Sequence, residues 1–138
     1  MTTVIRPELS KRNRYHVEKH RYYELKHFCL QYPIWKQLYS KISLIKGKRF
    51  DFIGSDSDHY DNPTSRLAEE RLYYLDRINL IEKVATDVDP DLSSYILKGV
   101  TEDLSYNGLK SRMNVPCSRD MYYDRYRRFF WLLDKTRD

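Results

Sequence analysis

The chain has 138 residues, room for one compact domain or a small domain with a helical arm. With 41% hydrophobic and 33% charged residues it reads as a globular chain, and no apolar run approaches the ~20 residues of a membrane span. Only four glycines are present, with no G-x-G-x-x-G and no Walker lysine loop, which disfavours a glycine-dependent nucleotide site.

The net charge of +5 is unevenly spread. Residues 1–30 hold seven Lys/Arg against three Asp/Glu, residues 64–104 hold five against nine, and residues 105–138 hold eight against four. Basic ends around an acidic middle point to nucleic acid as a partner of the ends. The competing explanation is an ordinary basic chain whose acidic middle packs on its own ends. Cys29 and Cys117 have no metal-motif spacing and no signal-peptide pattern precedes them. Two free thiols in a reducing cytoplasm are expected.

In chain order, residues 1–13 hold Pro7 and no periodic signal, and read as a loose basic tail. From Arg14 to Gln31, the spacing of Tyr15, Tyr22, Leu25, Cys29 and Tyr32 predicts a helix with a narrow apolar stripe. Such a stripe could seat against another helix or a second copy of the chain, which makes a homodimer a candidate assembly. His16 and His20 fall one turn apart, but no third ligand accompanies them, so no metal is expected. Pro33 ends this helix and suits the first turn of the next. Trp35, Leu38, Ile42 and Ile45 then give a second inner face, so residues 14–45 form a helical hairpin.

Residues 46–63 lack a period and read as a linker. Asp56, Asp58 and Asp61 open like a calcium loop, but the glycine and closing glutamate of that loop are missing. Thr64 is the expected N-cap of the longest helix, over 66–86, with Leu67, Tyr74, Ile78, Ile81 and Ala85 on one stripe. Asp87-Val88-Asp89-Pro90 ends it.

Two short helices follow, over 91–100 and 105–112. Pro116 breaks the pattern, and Ser118 is a ready N-cap for a final helix with Asp120 in its first turn. Tyr122, Tyr126, Phe129 and Leu133 form its apolar stripe. Arg119, Asp120, Tyr123 and Arg127 fall within about a quarter turn of one another, at ~100° per residue. A short helix, a tight turn and a longer helix with polar residues near its start is the layout of a helix-turn-helix. The expected fold is all-α: hairpin, linker, then a helical domain over 64–138 that ends in this motif. No spacing assembles a nucleophile with a base, so no enzyme and no cofactor is expected.

Several stretches resemble small proteins of prophages in Gram-positive bacteria. They are Asp89-Pro90-Asp91, Tyr95 to Glu102, Ser105-Tyr106 with Leu109-Lys110, and Pro116 to Leu133, with Arg21 to Lys26 and Gln31 to Lys36 upstream. More distantly, the layout is similar to the RinA/ArpU-type phage late-gene transcriptional activators, whose C-terminal helix-turn-helix is related to region four of sigma factors. The resemblance implies sequence-specific binding of double-stranded DNA, transcriptional control, and RNA polymerase as a further partner. It departs where the family carries a small and an aliphatic residue at the start of the recognition helix. Met121 and Tyr122 stand there.

The expected base-reading residues are Arg119, Asp120, Tyr123 and Arg127. Ser118, Lys110, Arg112, Arg125 and Arg128 are expected at phosphates, with salt bridges to the acidic middle as the alternative for the last four. The rival reading is a protein-binding module that docks RNA polymerase, a packaging component or a host defence protein.

Overall fold

The computed structural model describes residues 13–49 and 63–137. Among the described residues the chain is all-helical, with six helices: α1 (Lys19–Leu30), α2 (Tyr32–Arg49), α3 (Pro63–Val88), α4 (Ser93–Glu102), α5 (Tyr106–Met113) and α6 (Arg119–Thr136). No described helix is long and apolar enough to cross a membrane. The expected tail up to residue 12, and the linker residues 50–62 with their three aspartates, lie outside the described residues.

The local signals account for most helix ends. The predicted first helix starts late. The Asn13 side chain accepts from the Tyr15 N–H at 2.8 Å, and the Glu18 carboxylate accepts from the N–H groups of His20 and Arg21 at 2.9 and 3.1 Å. These bonds hold the preceding backbone outside the helix. His16 and His20 therefore do not share a helix face. Pro33 sits in the first turn of α2, where its missing N–H costs nothing. Pro63, rather than Thr64, opens α3. Asp103 and Asn114 end α4 and α5 in the left-handed region, at φ 55° and 56°, which short polar side chains tolerate.

The helices group into two compact units. One holds residues 13–31 and 81–137, and the other holds 32–49 and 63–80. The hairpin expected over 14–45 is thus divided. α1 joins the first unit and packs on α4 and α6. The reason is the size of its apolar face: Tyr22, Leu25, Phe28 and Cys29 are all buried, more than a lone partner helix would cover. Tyr22 meets the Phe130 ring edge-on at 5.1 Å and its hydroxyl pairs with that of Tyr126 at 2.6 Å. Arg21 Nε donates to Asp134 at 2.7 Å, and its Nη2 donates to the Arg137 carbonyl at 2.7 Å. In the second unit Arg71 donates to Tyr39 Oη at 2.7 Å and Ser43 Oγ at 3.3 Å, which ties α3 to α2.

The core of the first unit comprises Leu25, Ile81, Ile96, Leu109, Tyr122, Phe129, Phe130 and Leu133. Gly99 in α4 is set by close approach: a Cβ there would fall on the Tyr122 hydroxyl, with Leu109 Cδ1 only 3.2 Å away. That hydroxyl is buried and has no hydrogen-bond partner among the described residues. Two effects then oppose each other in Gly99→Ala. Helix propensity favours alanine by about 1 kcal/mol, and overpacking costs about 1–3 kcal/mol. The clash should dominate, so Gly99→Ala should lower the melting temperature. Tyr122→Phe alone should cost little, because it removes an unsatisfied group. Combined with Gly99→Ala it should recover most of the lost stability. Additive losses in the double variant, measured by thermal melts, would refute this packing.

Candidate nucleic-acid interface

α5, the turn over 114–118 and α6 are fixed by short-range polar contacts. Ser105 Oγ accepts from the Gly108 N–H at 3.2 Å at the start of α5. Ser118 Oγ accepts from the Met121 N–H at 3.2 Å at the start of α6, where Asp120 complements the positive helix end. Ser118 is thus a capping residue by geometry, and its exposure leaves the hydroxyl proton free to reach outward.

Two tyrosines lock the pair of helices together. The Tyr106 N–H, at the first position of α5, donates to Tyr123 Oη at 3.2 Å. The Tyr106 O–H donates to the Cys117 carbonyl at 2.6 Å and so ties α5 to the end of the turn. Val115 is buried within the turn. Tyr123 is also buried, so the expectation that it reads bases is corrected: its hydroxyl satisfies a buried backbone donor instead.

The other members of the predicted base-reading face separate. Arg119 and Asp120 are exposed at the helix start, and the Arg119 guanidinium lies 5.7 Å from the Tyr123 ring centre. Arg127 is half-buried, and its Nε is enclosed without a hydrogen-bond partner among the described residues. The inner side of α6 is marked by Tyr122, Tyr123, Phe129, Phe130 and Leu133. Its outer side carries Met121, Arg128 and Lys135, spaced by seven and therefore nearly in line along the axis. At ~100° per residue, the predicted face stands about a third of a turn away from this open one. Met121 is 41% exposed. Its exposure is the signal that sequence reasoning missed, because a methionine at a helix start reads as scaffold.

Among the predicted phosphate residues, Lys110 and Arg112 are exposed on α5 with no carboxylate partner among the described residues. Arg128 donates to the Val88 carbonyl at 3.3 Å. Arg125 takes the alternative role, a salt bridge to the acidic middle. Its Nε bonds Asp89 at 3.0 Å and its Nη1 pairs with Asp124. Burial pushes the Asp89 carboxyl up, but Arg125 and the N–H groups of Asp91 and Leu92 outweigh it and hold the group below its usual range. Arg125 is therefore committed to anchoring the segment before α4.

Both cysteines are free. Burial raises the Cys29 thiol far above its ordinary range, and burial together with the Asp89 charge raises Cys117, so neither has thiolate character. Among the described residues no group of three or more His, Cys, Asp or Glu is placed to hold a metal. Compared with family models, with curated proteins and with solved structures, the chain matches none.

The Tyr123 assignment has a direct consequence. Tyr123→Phe should destabilise the chain by about 1–3 kcal/mol, because it leaves the Tyr106 N–H buried and unpaired. A melt unchanged by Tyr123→Phe would show that its hydroxyl is not committed to the scaffold.

Proposed function

We propose that the chain binds double-stranded DNA, with α5 and α6 acting as a helix-turn-helix, and that it serves as a phage-type transcriptional regulator. The observation that carries this reading is how the cations of the first unit are partnered. Arg21, Lys26, Lys98, Arg125 and Arg137 are each held by a carboxylate. Of the cations of this unit without such a partner among the described residues, Lys110, Arg112, Arg128 and Lys135 lie on α5 or the outer side of α6, while Arg14, Lys19 and Arg127 lie elsewhere. A positive potential left unneutralised beside an exposed helix start suits a phosphate backbone next to a groove.

In this reading the start of α6 enters the major groove. Arg119 offers a two-bonded contact to guanine, and Asp120 accepts from a cytosine amino group. Met121 adds an apolar contact of the kind a thymine methyl receives. Lys110, Arg112, Ser118 and Arg128 hold phosphates. Arg127 stays at the edge of the covered side and supports the helix more than it reads bases. A second reading, protein docking, is favoured by the exposed apolar residues of the other unit, where Leu44 is 68% and Leu72 56% exposed. In that reading the second unit docks a protein such as RNA polymerase, or a second copy.

Selection of duplexes from a random pool supplies the test. The selected duplex should bind more tightly than a scrambled one. Arg119→Ala should relax the preference at one position, by about 1–3 kcal/mol. Lys110→Ala should weaken both duplexes alike and reduce the salt slope by about one unit. A pool that yields no enriched sequence, with binding untouched by either substitution, would leave protein docking as the function.

A further inference from the structure

At the far end of α6 two cations from opposite ends of the chain share one aromatic platform. The Tyr15 ring, from the segment before α1, meets the Trp131 ring edge-on at 5.4 Å. The Arg14 guanidinium lies 4.7 Å from the Tyr15 ring centre, and Lys135 Nζ lies 4.5 Å from the Trp131 ring centre. Arg14 and Lys135 are exposed, and neither has a carboxylate partner among the described residues. Tyr15 is buried and Trp131 half-buried, so the platform itself is fixed by the core.

Cation–π contacts at exposed sites are worth only about 0.5–1 kcal/mol, too little to explain the arrangement as a stability device. They do orient the two side chains without neutralising them, because a ring face leaves the full charge and the N–H donors available to an anion. Lys135 is also the last member of the line that runs from Met121 through Arg128 on the open side of α6. At 1.5 Å per residue it stands about 21 Å from Met121. A helix that enters the major groove by its start brings its far end out over the sugar-phosphate strand.

We propose that Arg14 and Lys135, held on the Tyr15–Trp131 platform, form a second phosphate clamp that grips the DNA backbone beyond the groove. The inference rests on the DNA-binding reading. It adds that the segment before α1 takes part in binding, and that the footprint extends past the bases read by the start of α6.

The experiment measures affinity for a duplex against salt concentration for the full chain and for Arg14→Gln, Lys135→Gln and the double variant. Both residues are exposed, so the melts of all four should agree. Each single change should lower the salt slope by about one unit, a loss of about fivefold in affinity near 0.15 M salt, and the double change by about two. Preference between selected and scrambled duplex should stay as in the parent. A parent that binds duplex, with a double variant of unchanged slope, overturns the clamp alone. A parent that binds no duplex overturns the clamp and the DNA-binding reading together.

Discussion

The turn between α5 and α6 is held by two tyrosine hydroxyls, and the direction in which α6 points depends on them. Tyr123 accepts from the first N–H of α5, and Tyr106 donates to the last carbonyl before the Ser118 cap. Each bond meets a backbone group that a helix end or turn would otherwise leave unpaired, so neither can slip without exposing a costly donor or acceptor. With Val115 buried in the turn, the two bonds tie α5 to the start of α6. Arg119, Asp120 and Met121 then stand exposed at its tip, with the Arg119 guanidinium 5.7 Å from the Tyr123 ring centre.

α1 decides which side of α6 is open. Arg21 holds Asp134 and the Arg137 carbonyl, while Tyr22 reaches Phe130 and the Tyr126 hydroxyl. This covers the flank of the helix that carries Tyr126 and Phe130, and leaves the line of Met121, Arg128 and Lys135 outside. Burial, with the Tyr22 hydroxyl beside it, holds the Tyr126 hydroxyl well above its ordinary range.

Helix positions were legible because their signals are local. Pro33, Ser105, Ser118 and Pro116 each act on the few residues beside them, and the observed helices start or stop near all four. The apolar stripe of α6 was legible for the same reason, with Tyr122, Phe129 and Leu133 fully buried. Its partner was not. The stripe on α1 gives no sign of whether it seeks α2, α3 or α6, because long-range packing depends on shapes that periodicity does not encode. The readout face suffered from that gap. Tyr123 and Arg127 look polar in sequence and share a quarter turn with Arg119, and only the position of α1 and α5 shows that this side is covered. Arg125 was open between phosphate and acidic partner, and the Asp89 contact decides it.

The central claim is that the corner of α5 and α6 is the surface that meets DNA. Its most direct test is a backbone amide NMR titration of the full chain with a duplex selected from a random pool. The account predicts that signals of Lys110, Arg112, Ser118 to Met121 and Arg128 move in proportion to bound duplex, while those of α2 stay in place. Movement confined to α2 and the first half of α3, or no movement at all, would contradict it.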